Sequence, residues 1–140
     1  FQCALGISQI KKLNSFVLKR NKIAKIYDKN FGQDDRFVVP KLSKNIKHAY
    51  HIYPLLIKFH KTKLNKDKFF KKMKKNGVTL QVHYIPVHTQ PFYKKKYGFK
   101  FGDFPLAENF YKNEVSIPMY VDLDKRKIDL VVKKIKKNLE

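Results

Sequence analysis

The chain has 140 residues, 43% hydrophobic and 14% aromatic, which is enough for one domain with a packed core and too apolar for a disordered tail. Lysine and arginine number 32 against 11 acidic residues, a formal net charge of +21 that calls for a polyanion partner to be weighed. The single cysteine, Cys3, excludes an internal disulfide and a thiolate metal cluster, and with no signal peptide and no apolar run near membrane-span length the expected setting is reducing and cytoplasmic.

Leu5, Ile10, Leu13, Phe16, Val17, Ala24, Tyr27 and Phe31 recur at helical steps, with Lys11, Lys12, Lys19, Lys22 and Lys25 on the other face. This predicts one long amphipathic helix from near the start of the chain to about residue 31, stopped by Gly32. No Ser, Thr, Asp or Asn precedes its first turn, so Phe1-Gln2-Cys3 reads as the interior of something larger. After a loop through Pro40, His48 to Phe59 is rich in aromatic and branched residues and predicts a strand, with a bulge or an edge at Pro54. Asn65 is the expected cap of a helix with Phe69, Phe70 and Met73 inward and Gly77 as its stop. Val78 to Val82 predicts a second strand. Pro91 to Tyr97 predicts a short helix ended by Gly98. Asp103 and Pro105 start another, running to about Asn113. Val115 to Pro118 predicts a short strand, and Asp124 caps a last helix with Ile128, Val131, Val132, Ile135 and Leu139 as its apolar stripe. The order predicts an α+β layer, a small sheet with helices packed on it.

Most of the chemistry the composition invites is poorly placed. Arginine, the better residue for bidentate phosphate and base contacts, occurs only at Arg20, Arg36 and Arg126, and the lysines fall on helix outer faces. A basic, nonenzymatic polyanion- or nucleic-acid-binding module is therefore the alternative reading, with weak, salt-sensitive binding its expectation. His48 and His51 are three apart, which on a strand puts them on opposite faces and denies them a shared metal ion. Asp34 and Asp35 read as turn residues, and Asp122 and Asp124 as helix-start residues.

One segment differs. Between Val82 and Tyr93 the chain gathers His83, Tyr84, His88, Gln90 and Tyr93 on a backbone stiffened by Pro86 and Pro91. Two readings fit it: a rigid turn packed on aromatics, or a loop at a strand end offering imidazole and phenol groups to a polar ligand. A metal held by His83 and His88 lacks a nearby carboxylate or cysteine in the sequence to complete it.

These residues carry a family resemblance. Gln81-Val82-His83-Tyr84-Ile85-Pro86-Val87-His88 followed by Gln90-Pro91-Phe92-Tyr93 resembles the C-terminal region of the DegT/DnrJ/EryC1/StrS sugar aminotransferases. Phe1 to Leu13, Lys47 to Tyr53, Gly102 to Glu108 and Val115 to Met119 resemble further pieces of that region in the same order. The subgroup most resembled aminates a UDP-linked 4-keto-6-deoxy-N-acetylhexosamine on the route to pseudaminic acid. The resemblance implies the small C-terminal domain of the aspartate-aminotransferase-like fold of type I pyridoxal-phosphate enzymes, with a mostly antiparallel sheet. It divides the chain into residues 1–32, a helix linking to a large domain, and residues 33–140, the small domain. It implies pyridoxal 5'-phosphate as cofactor, glutamate and a UDP-linked keto sugar as substrates, a homodimer, and neither a membrane nor specific nucleic acid as partner. No lysine here matches the cofactor-lysine motif, so the resemblance implies a piece that is inactive alone and has no catalytic residue of its own. His83, Tyr84 and His88, and less directly Gln90 and Tyr93, match the loop that closes over the sugar nucleotide.

Overall fold

A computed structural model describes residues 1–140 and gives six α-helices and a three-stranded sheet. The helices are α1 (Gln2–Ile10), α2 (Leu13–Phe31), α3 (Lys66–Lys75), α4 (Pro91–Tyr97), α5 (Pro105–Asn113) and α6 (Lys125–Asn138). The strands are β1 (Phe37–Val38), β2 (Tyr53–Ile57) and β3 (Glu114–Ile117), antiparallel in the order β1-β2-β3. No helix is long and apolar enough to cross a membrane.

The expected single N-terminal helix is two. The break falls at Lys11 and Lys12, where the Lys12 N–H reaches back only three residues to Gln9 O. Nothing in the chain packs on α1, which buries no residue, so the apolar stripe through Leu5, Ile10 and Leu13 stays in solvent. The second half of α2 is different. Ile23, Ala24, Tyr27 and Phe31 enter the same core as the strands, so this half of α2 is packed on the body of residues 33–140. Gly32 ends α2 as expected, by close approach and not by a left-handed turn: a Cβ there would lie 2.6 Å from the Asp28 carbonyl oxygen.

The strand predicted from His48 begins only at Tyr53. The reason lies in α2. Arg20 donates to the carbonyls of Tyr50 and His51 at 3.1 and 3.0 Å, and the Asn21 amide donates to that of His48 at 2.8 Å. Carbonyls bound to a helix's side chains are lost to a ladder, and Tyr50 at φ 46° breaks the extended path. His48 and His51 therefore sit on a loop and not on opposite faces of a strand, which corrects the premise used against a shared metal. Pro54 is accommodated as an edge. β1 pairs only with Leu56 and Ile57, and opposite Pro54 stands Ser116, whose own N–H and C=O are both bonded to Gln81 on its far side. That Gln81–Ser116 bridge is all that forms of the strand expected at Val78 to Val82.

The remaining elements follow their sequence signals. Asn65 caps α3 with its side-chain oxygen on the Lys68 N–H at 2.9 Å, and Asp124 caps α6 likewise on Lys127 at 2.8 Å. Gly77 and Gly98 take the left-handed turns that end α3 and α4. Asp103, the expected start of α5, does not cap it. Its carboxylate accepts the Lys100 N–H instead, closing the turn before the helix, and Phe104 takes the cap position. Replacing Asn65 by alanine leaves one N–H of α3 without its partner and is expected to cost about 1 kcal/mol, read as a lower urea midpoint at constant slope.

The core joins both ends of the chain. Tyr53, Leu55 and Ile57 alternate inward from β2, opposite Val115 and Ile117 of β3. α6 lays Ile128, Val131, Val132 and Ile135 against them, with Phe69 and Met73 from α3. Tyr27 and Tyr53 meet at 5.0 Å between ring centres and donate to Pro118 O at 2.9 Å and to Asp28 at 2.6 Å. Burial raises the pKa of both phenols, with the Asp28 carboxylate adding to the effect at Tyr53.

Candidate functional site

β3 is the element that builds the site. Its alternation sends Val115 and Ile117 to the core and Glu114 and Ser116 to the opposite face, which is also covered. Glu114 is fully buried and Ser116 nearly so. The Gln81–Ser116 bridge then brings the next odd residue, His83, opposite Glu114. There the ladder changes character. The His83 N–H donates to the Glu114 carboxylate at 3.0 Å, the Ser116 hydroxyl donates to the other carboxylate oxygen at 2.5 Å, and Ser116 Oγ lies 2.8 Å from His83 Nδ1. Lys66, half-buried on α3, feels the Glu114 charge. Burial lowers its pKa, the Glu114 carboxylate works the other way, and its ammonium donates to Tyr111 O at 2.5 Å.

This hydrogen-bonded group opens onto a cleft of about 530 Å³. His51, Thr79, Gln81, His83, Tyr120 and Lys127 supply its polar rim, and Ile117, Leu123 and Val131 its apolar floor. A concave apolar floor with a few convergent polar groups is the usual form of a small-molecule site.

The other residues expected of the loop lie outside that cleft. Tyr84, 75% exposed, stands beside His83 with ring centres 4.7 Å apart. His88 is buried: its Nε2 lies 2.8 Å from Glu108 and its ring packs on Phe104. Gln90 is half-buried at the start of α4 and offers no side-chain cap. Tyr93 stacks on Tyr97 in an exposed aromatic row with Phe92. The sequence offered neither histidine a nearby carboxylate. The fold gives each one: Glu114 accepts the His83 backbone N–H while the His83 ring faces Ser116, and Glu108 meets the His88 ring. Both acids were missed in the sequence. The polar-apolar alternation Glu114-Val115-Ser116-Ile117 sets Glu114 on the face away from the core, but nothing local shows that this face is covered.

Glu108 latches the loop. Partial burial works to raise its pKa, but the Gly102 N–H and the His88 imidazole outweigh it and hold the carboxyl below its ordinary value. A carboxyl depressed in the folded state adds stability that is complete above its unfolded pKa and is lost as pH falls through its lower folded one. The Gly102 amide is therefore expected to stay protected from hydrogen exchange at about pH 6 and to lose protection below about pH 4, and the Glu108→Gln variant should have no such acid step.

The pattern that describes the DegT/DnrJ/EryC1/StrS aminotransferase family matches residues 1–136. The chain belongs to this family. An uncharacterized protein of Methanocaldococcus jannaschii is 41% identical over 97% of this chain and 35% of its own length. The UDP-4-amino-4,6-dideoxy-N-acetyl-beta-L-altrosamine transaminase of Campylobacter jejuni is 39% identical over 87% of this chain and 32% of its own. Among solved structures, Helicobacter pylori PseC, an aminotransferase of pseudaminic acid biosynthesis, superposes with a TM-score of 0.86 at 29% identity, covering 99% of this chain and 36% of PseC. S. venezuelae DesV, at 20% identity and a TM-score of 0.86, shares the fold. The chain thus spans about a third of the length of the curated relatives it matches. The expected fold, an α+β domain of the aminotransferase architecture with an antiparallel sheet, is the one found.

The residues of this chain do not make a pyridoxal-phosphate pocket of their own. The one lysine on the cleft, Lys127, is exposed and leans toward Asp124 at 3.4 Å, and the half-buried Lys66 is turned to a backbone carbonyl between the rings of Phe70 and Tyr111.

Proposed function

We propose that this chain is the sugar-binding part of a pyridoxal-phosphate-dependent aminotransferase that moves an amino group from glutamate to a nucleotide-linked 4-keto-6-deoxy sugar for surface glycan biosynthesis. The observation that carries it is the family match over nearly the whole chain, joined by relatives of pseudaminic acid biosynthesis. We assign the cofactor and its lysine to the part of the relatives that this chain does not match, so the chain alone is inactive.

His83 at the cleft and Tyr84 beside it are the groups we assign to the sugar, with Gln90 and Tyr93 flanking the nucleotide. His88, bound to Glu108, anchors the loop that carries them. Residues 1–32, with α1 and α2, link to the cofactor-bearing domain, and residues 33–140 form the small domain. The bare apolar side of α1, with Leu5, Ile7 and Ile10 exposed, fits a surface covered by that domain or by the second subunit of a cytoplasmic homodimer.

The rival reading, a polyanion-binding module, is weaker because the positive charge is not gathered. Lys71, Lys72, Lys74 and Lys75 surround the buried Met73 on an outer face of α3, and the groove between α2 and α6 mixes Lys25, Lys29 and Lys136 with Asp34 and Asp129.

A chimera tests the proposal: residues 1–140 replacing the matching third of the Campylobacter jejuni transaminase. It is expected to show the absorption of bound pyridoxal phosphate and to aminate the keto sugar. Its His83→Ala form should keep the cofactor spectrum and lose about tenfold or more in kcat/KM for the sugar. A chimera that binds cofactor but transfers no amino group overturns the reading.

A further inference from the structure

The hydrogen bonds around His83 decide which of its nitrogens carries the proton. A serine hydroxyl has one hydrogen to give. Ser116 gives it to Glu114, whose two carboxylate oxygens then each meet a donor, the Ser116 O–H and the His83 N–H. Toward His83 the Ser116 oxygen can only accept, so at 2.8 Å it takes the hydrogen of Nδ1. That leaves Nε2 of the neutral ring with a lone pair and no partner in the chain, on a residue that lines the cleft. Glu114 is fully buried and Ser116 is 5% exposed, so water does not compete for these bonds.

We infer that Ser116 and Glu114 are positioning residues that hold His83 as the Nδ1–H tautomer, and that the cleft takes at His83 a hydrogen-bond donor, a sugar hydroxyl, and not a phosphate oxygen. This rests on the sugar-nucleotide reading for the ligand, but the tautomer stands on the chain's own bonds. The arrangement separates two uses of a histidine. A ring with Nε2–H greets an anion, whereas a ring fixed as Nδ1–H rejects one and selects an alcohol. Three residues from two segments are needed: β3 supplies the acid and the hydroxyl two apart, and the paired segment supplies the imidazole in register.

Nitrogen-15 NMR of the histidine-labelled chain at a pH where the ring is neutral reads the tautomer directly. His83 is expected to show a protonated Nδ1 and a bare, pyridine-type Nε2. Ser116→Ala should move both shifts toward the averaged values of a free ring and weaken binding of UDP-N-acetylglucosamine about tenfold. Ser116→Thr, which keeps the hydroxyl, should restore the wild-type pattern and guards against a misfolded alanine variant. A protonated Nε2 in the wild type, or an alanine variant with unchanged shifts, overturns the tautomer. Inorganic pyrophosphate is the second probe: the Nε2 signal should move with the nucleotide sugar and not with pyrophosphate, and an equal response to both overturns the donor selection. A fixed tautomer with no response to the nucleotide sugar overturns the donor selection and the proposed function together, while leaving the tautomer assignment in place.

Discussion

Replacing Glu114 by alanine is expected to cost the domain about 2–5 kcal/mol and to abolish ligand binding at the cleft. Its carboxylate is the acceptor for two donors that lie under cover, the His83 N–H and the Ser116 O–H. Each donor left without a partner costs about 1–3 kcal/mol. Relief of the buried charge offsets part of this, since a fully buried carboxylate is expensive to hold. The loss is still large against a typical stability of about 5–15 kcal/mol. Urea unfolding reads the first effect and titration with UDP-N-acetylglucosamine the second. Glu114→Gln keeps the shape and one acceptor, so it should lie between the two in both measurements. An alanine variant as stable as the parent would mean that water or a neighbour had replaced the carboxylate, and the site would need redrawing.

Phe69→Ala should be the costliest change in the core, at about 3–5 kcal/mol. Phe69 is fully buried on α3, with the Phe59 ring 5.8 Å away, and α3 is held to the rest of the domain by its contact with α6. The domain is small and its core joins distant segments, so collapse around the cavity is limited on every side by strands or helices already packed. Phe69→Leu, which fills most of the volume, should lose far less. Unfolding monitored by circular dichroism checks both, and equal midpoints for the two variants would show that Phe69 is not packed as described. The expected effect concerns stability alone, because Phe69 does not line the cleft.

Neither effect could be ranked from the sequence, for different reasons in the two cases. Phe69 was legible as an inward residue from helical spacing after Asn65. Glu114 was not, because a charged residue at a strand end reads as solvated until something covers that face. What covers it is the turn from Gln81 to His83, about thirty residues earlier in the chain, as the His83 to Glu114 bond records. The same holds for Glu108, whose partner His88 lies twenty residues before it. Asp103 shows the reverse error, a good cap residue next to a helix that spends its carboxylate on a turn instead.

Local sequence was enough for the helices α2 to α6, their caps at Asn65 and Asp124, their glycine stops at Gly77 and Gly98, and the family. These rest on neighbouring chemistry: side-chain oxygens bonding the nearest free N–H groups, glycine tolerating positive φ, and apolar spacing that one helix face must bury. The break at Lys11 and Lys12, which leaves α1 bare, carried no such local signal. Two other features came from packing between distant segments. β2 is delayed to Tyr53, because Arg20 and Asn21 of α2 have already taken the carbonyls before it. Glu114 and Ser116 are set against His83, because antiparallel register, unlike helical periodicity, pairs residues that the sequence keeps far apart.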